Sequence, residues 1–198
     1  RPKAAQAVWE AIRIPPVGFR EMAVGAAGYF YVNDEAISMI HVYSPTGKFL
    51  FSFKLDGKWV YEQSEFWETQ FGKYWGENIR SSWSHLAADQ QRNRLYISLL
   101  NGAILVLEPD FAHKTMTPVA VYKKLPGHRT GWSITTDNQG YLYKADRSVD
   151  GPERIHVWNP AGRYLGHFGS YGDVSDLVVD SQVRLFVLDL DYRQPSVY

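Results

Sequence analysis

The chain has 198 residues, 45% of them hydrophobic and 21% charged, with 21 basic and 21 acidic side chains for a formal net charge of zero. This composition describes a globular chain with a core; it excludes disorder and lacks the basic stripe of a nucleic-acid binder. Without cysteine there are no disulfides, thiolate metal sites or cysteine nucleophile, and no apolar run nears the roughly eighteen residues of a membrane span.

Residues 1–18 form an N-terminal extension in which Ala7-Val-Trp-Glu-Ala-Ile-Arg-Ile14 reads as a strand able to close a sheet. The chain opens on Arg1 without methionine, which carries the expectation of an upstream piece, a signal peptide or another domain. Next come a short apolar strand at Met22–Val24, a turn, and Gly28-Tyr-Phe-Tyr-Val-Asn-Asp34. Then Ile40 and Val42 alternate with His41 and Tyr43, the period of a strand. Ser44-Pro-Thr-Gly47 follows as a tight turn, because proline fixes φ and glycine permits positive φ. Lys48–Phe53 closes a β-hairpin.

The segment 54–83 interrupts this regularity and holds Trp59, Tyr61, Phe66, Trp67, Phe71, Tyr74, Trp75 and Trp83. Trp67, Phe71 and Tyr74 stand at i, i+4 and i+7, which predicts a short amphipathic helix over Ser64–Trp75, capped by Ser64 and weakened by Gly72. Rings of this kind anchor protein interfaces and stack on sugars; they also serve simply to pack a long connection. Trp59, Tyr61, Trp67, Phe71, Tyr74, Trp75 and Trp83 are therefore the candidate binding residues, with a protein partner or a carbohydrate as ligand.

Beyond the insertion the opening pattern returns. Leu86-Ala-Ala-Asp89 leads to Arg94-Leu-Tyr-Ile-Ser98, and a loose unit runs on to Leu107. Ile134-Thr-Thr-Asp137 leads to Gly140-Tyr-Leu-Tyr-Lys-Ala-Asp146, and Leu177-Val-Val-Asp180 to Val183-Arg-Leu-Phe-Val-Leu-Asp189. The hairpin itself recurs as Ile155–Phe168, 115 residues after Ile40–Phe53, with seven of fourteen positions identical. Phe30, Leu95, Leu142 and Leu185 are equivalent, spaced by 65, 47 and 43 residues. A four-stranded antiparallel unit at a period of about 40–50 residues is the mark of a β-propeller, with the first spacing lengthened by the insertion. The expected fold is all-β, with about four blades over residues 19–198.

The paired segments Tyr29–Asp34 with Ile40–Phe53, and Tyr141–Asp146 with Ile155–Phe168, resemble the NHL repeat. The resemblance is good in two units, loose in Arg94–Leu107 and incomplete in the last. It implies a propeller of six blades, from a family of protein- and RNA-binding scaffolds, extracellular domains and a few lyases or lactonase-like enzymes. The last unit stops at Ser196-Val197-Tyr198, within its third strand, and an open sheet edge is an aggregation hazard. A fragment of a larger propeller is the favoured expectation, against completion by a partner chain or closure by the N-terminal segment. Family habit and the missing start favour an extracytoplasmic setting.

Catalytic signatures are weak. Asp34, Asp146 and Asp189 share one repeat position and are expected to accept backbone N–H bonds in their own loops rather than hold a cation. His41 and His156 share another, in separate blades, without the spacing of a metal pair. Ser84 and His85 are neighbours on a strand and point to opposite faces. Gly131-Trp-Ser-Ile-Thr135 fails the nucleophile-elbow pattern, and no motif implies a cofactor or a metal. The function read from the sequence is a non-catalytic binding or assembly scaffold. Alternatives are a propeller enzyme with a metal in its central channel, and carbohydrate binding through the insertion.

Overall fold

The structure is a computed structural model, and it describes residues 19–34, 39–54, 83–99, 102–122, 133–146, 151–191 and 194–197. The first blade comprises β1 (Phe19–Val24), β2 (Phe30–Asp34), β3 (Met39–Tyr43) and β4 (Phe49–Lys54). The second comprises β5 (Trp83–Asp89), β6 (Arg94–Leu99), β7 (Ile104–Asp110) and β8 (Thr115–Tyr122). The third holds β9 (Ile134–Thr136), β10 (Leu142–Asp146), β11 (Glu153–Trp158) and β12 (Tyr164–Tyr171). The fourth has three described strands, β13 (Val174–Val179), β14 (Leu185–Asp189) and β15 (Gln194–Val197). Strands pair in chain order and antiparallel within every sheet.

The repeat read from the sequence is a repeat of register. Phe30, Leu95, Leu142 and Leu185 stand opposite Val24, Ala88, Thr136 and Val179, the last or penultimate residue of each first strand. The turns Ser44–Gly47 and Asn159–Gly162 share one geometry. Gly47 N–H donates to the Ser44 carbonyl at 2.9 Å, and Gly162 N–H to Asn159 at 2.8 Å. Both glycines have φ near +80°, at +79° and +81°, a conformation that side chains with a Cβ resist. The loose unit is as regular as the good ones. β7–β8 carries a bulge at Val106/Leu107, at the same place as Val42/Tyr43 and Val157/Trp158 in the other two outer hairpins.

Neighbouring blades cover both faces of the inner strands of the first two blades, so β2, β3 and β6 are buried almost throughout, whereas β12 and β14 keep a period-two alternation. The first strands β1, β5, β9 and β13 lie side by side in order, as blades around an axis do. Between the first and second blades, Ala23, Tyr31, Val42 and Phe51 meet Leu86, Leu95, Ile97 and Leu105. Tyr29 stacks on Phe111 across the same junction, with centroids 4.1 Å apart. Ala87, Tyr96 and Val106 then meet Ile134, Leu142 and Trp158. Ala145, Ile155 and Tyr171 meet Leu177, Leu185 and Val187.

Candidate functional site

Each first strand pairs on one side only, so its other edge looks onto the axis. The four edges line a cavity of about 400 Å³ that includes Glu21, Val24, Leu86, Gln90, Thr136 and Asp176. A second hollow of about 360 Å³ adjoins it, lined by the inner turns with Gln91, Asn138, Asp180 and Ser181. This is a volume in which small-molecule sites are found.

One mouth of the cavity carries Glu21 and Asp176, which belong with His85 and Ser133 to a column of polar residues at one repeat position. Glu21, His85 and Asp176 stand opposite Asn33, Ser98 and Leu188, and the Ser133 carbonyl accepts Ala145 N–H at 3.0 Å. Bulges at Phe19/Glu21, Trp83/His85 and Val174/Asp176 interrupt the ladder here and turn backbone donors away from it. The neighbouring blade receives them. Leu86 N–H donates to Glu21 Oε2 at 2.7 Å, while His85 Nδ1 lies 3.1 Å from Oε1. Leu177 N–H donates to Ser133 Oγ at 2.9 Å, and Ser133 Oγ–H donates to Asp176 Oδ1 at 3.1 Å. The column is a set of staples between blades.

The opposite mouth is built from inner turns with a shared Asp. Asp89, Asp137 and Asp180 each accept the N–H two residues on, from Gln91, Gln139 and Gln182, at 2.8 to 2.9 Å. Asp180 also accepts Arg184 N–H, and these backbone bonds hold its carboxyl below the usual range. Side chains then cross to the next blade: Arg92 to the Gln139 carbonyl at 2.9 Å and Asn138 to that of Ser181 at 3.3 Å.

The aspartates singled out in the sequence do not converge on the axis. Asp189 behaves as expected, accepting N–H bonds from Gly172, Asp173 and Asp191. Asp34 and Asp146 each have a basic side chain close by. Asp34 lies 3.5 Å from His41 Nε2, and Asp146 lies 3.2 Å from Lys144 Nζ in a pair that is 1% and 2% exposed. His41 and His156 stay in separate blades, bonded to Ser52 Oγ at 2.7 Å and Tyr164 Oη at 2.9 Å. His167, without a partner legible in the sequence, joins Tyr164 and Arg154. Among the described residues no three His, Asp or Glu side chains gather where they could hold a metal.

Of the candidate binding residues, Trp59, Tyr61, Trp67, Phe71, Tyr74 and Trp75 lie outside the described residues, as do the expected helix 64–75 and the strand 7–14. Lys54 and Trp83, the limits of the insertion, belong to strands: Lys54 ends β4, and Trp83 opens β5 opposite Leu99. The sequence reading missed Glu21, Ser133 and Asp176. Their signal was present, since each falls nine residues before its blade's reference position and His85 ten before Leu95.

It also missed a surface. On the fourth blade, the face turned away from the third carries Val178 and Val197, each 54% exposed, and Leu188 at 40%. Phe186 lies between them, partly buried, with the Arg184 guanidinium 5.8 Å from its ring. Val178, Phe186 and Val197 are paired across the sheet, so they form one contiguous strip.

No family model and no curated protein matches the chain. Among solved structures it is similar to the β-propeller domain of Cps50 (Swd1) from Myceliophteria thermophila, with a TM-score of 0.59 at 8% identity. The likeness covers 90% of this chain and 52% of that one, so the chain spans about half the length of the domain it matches. No helix among the described residues is long and apolar enough to cross a membrane. By the stacking of its blades and by this likeness, the chain has a β-propeller fold.

Proposed function

We propose that the protein is a non-catalytic binding or assembly module, a propeller scaffold of NHL type that engages a protein partner. The observation that carries this reading is the open strip Val178, Phe186, Leu188 and Val197. A contiguous apolar face on a sheet, at positions that are buried in the first two blades, marks a surface built for contact. The polar groups at both mouths of the cavity support the same reading, because they are engaged in stapling blades and shaping turns. The NHL assignment is favoured by the shared outer hairpin of Ile40–Phe53 and Ile155–Phe168, with its common turn and bulge.

A benzophenone amino acid placed at Val178 tests the reading in the cells that make the protein. Irradiation is expected to give an adduct with a polypeptide that the same probe at Leu165, exposed on the outer strand β12, does not give. Adducts that are identical at both positions, or none at Val178, would overturn it.

A further inference from the structure

We infer that the third blade carries an acid-sensitive latch, a run of four hydrogen-bonded side chains that ties down its outer strand while two histidines are neutral. The run crosses β11 and β12. Arg154 Nη1 meets His167 Nε2, His167 Nδ1 lies 3.3 Å from Tyr164 Oη, and Tyr164 Oη lies 2.9 Å from His156 Nδ1. The two imidazole centroids are 5.5 Å apart. His156 is fully buried, Tyr164 and Arg154 are partly buried and His167 is exposed, so the run leads from solvent into the blade.

Chemistry forces its direction. A guanidinium has donors and no acceptor, so His167 Nε2 accepts from Arg154. A neutral imidazole then has its proton on Nδ1, which donates to Tyr164 Oη. The Tyr164 hydroxyl is left to donate to His156 Nδ1, and the proton of His156 sits on Nε2. Burial raises the Tyr164 phenol above its ordinary value, with Arg154 opposing and Asp146 adding to the rise, so the hydroxyl stays a donor. The one lone pair of each ring is therefore already in use. A proton added to His167 sets a second cation against Arg154, and one added to His156 takes away the acceptor of Tyr164.

Among the described residues, the charged and titratable groups around the run are these. Lys144 and Asp146 on β10 stand opposite His156 and Arg154, and are 3.2 Å from each other. Tyr96 and Tyr122 of the second blade share a cluster with Tyr164, and Asp89 and Arg94 act on both. New positive charge thus joins Arg154 and Lys144 beside a carboxylate that Lys144 already holds. The blade does not need this run in order to form. The row Lys144, His156 and His167 is Val32, His41 and Ser52 in the first blade and Ile97, Leu105 and Val121 in the second. What the run holds is the start of β12, where a bulge at Val157/Trp158 interrupts the ladder and Gly166 has a φ of +139°. Side chains bridge the two strands where the backbone bonds are broken.

The experiment uses the full chain with ¹⁵N-labelled histidine. Long-range proton–nitrogen NMR at neutral to alkaline pH should show the proton of His167 on Nδ1 and that of His156 on Nε2. A proton on Nε2 of His167 would overturn the proposal. Amide exchange, corrected for its intrinsic pH dependence, is then followed from about pH 8 to pH 5, the range in which histidine changes charge. Protection over residues 164–168 should fall about tenfold, the loss of one hydrogen bond to a charged group, while β7 keeps its own. His167→Gln offers Arg154 an amide oxygen that does not titrate, and should hold its protection at the lower pH. Tyr164→Phe cuts the run at both pH values and should show the lowered protection throughout. An equal acid loss in His167→Gln, or a loss shared by β7, would overturn the latch.

Discussion

Val183 stands at the repeat position held by Gly28, Asn93 and Gly140, and all four have positive φ. Glycine adopts that backbone without cost, whereas an L-residue with a β-branch meets its own carbonyl. Val183 is 37% exposed and buries little in return. Val183→Gly is expected to stabilise the protein by about 1 kcal/mol, the left-handed penalty less the added freedom of the unfolded chain. Urea denaturation checks it, and a lower midpoint would show that Val183 packs better than its exposure indicates. Asp137 is the opposite case. It is buried, accepts Gln139 N–H and Tyr141 N–H on one oxygen, and takes the Tyr143 hydroxyl at 3.1 Å on the other. Asp137→Ala should cost about 2–3 kcal/mol because three donors lose their acceptor, and Asp137→Asn should recover part of this.

At the scale of the blade, the third differs from the second by a buried ion pair. Lys144 and Asp146 occupy the register positions of Ile97 and Leu99. Lys144→Ile alone removes the ammonium 3.2 Å from a buried carboxylate and should destabilise by about 3–5 kcal/mol. Lys144→Ile with Asp146→Leu restores the pattern of the second blade and should be neutral or stabilising by about 1–4 kcal/mol. A double variant weaker than the single one would mean that the pair holds other groups in place. Between blades, Glu21 is the clearest staple. Glu21→Ala strands the Leu86 N–H and the His85 ring and should cost about 1–3 kcal/mol. Glu21→Gln keeps an acceptor for Leu86 and should lose less. If the two variants unfold alike, the charge toward His85 carries the contact rather than the backbone bond.

Over the whole molecule, stability is a sum of blades and junctions, and the junction aromatics give it a pH dependence. Burial, with Tyr122 beside it, pushes the Tyr96 hydroxyl up to about 12. Burial and then Asp137 push Tyr143 up to about 12 as well. A raised value means that the folded state holds the proton more tightly than the unfolded state does. The contribution is complete below the ordinary value of 10.0 and is lost as pH rises from there toward about 12. Urea midpoints should therefore fall through that window, and Tyr96→Phe should make the fall shallower. An unchanged slope in Tyr96→Phe would place the alkaline sensitivity elsewhere.

The sequence by itself determined the blade. Ile40–Phe53 and Ile155–Phe168 show a period of two, a turn proline and a turn glycine, all local properties that a chain cannot express as anything but a hairpin. It also determined the repeat, because the same side chains must recur wherever the same register recurs. Even the loose unit was legible as a strand pair from Arg94 to Leu107, although β8 was not, since Thr115–Tyr122 carries no turn signal like Pro-x-Gly. What only the tertiary structure decided is which face meets what. Glu21 and His85 are 64 residues apart and become neighbours because two bulges release backbone donors at one level around the axis. Val178 and Leu188 look in sequence like any other strand residues. They become a candidate site only when the stacking order leaves their face open while it covers the same positions in the blades before.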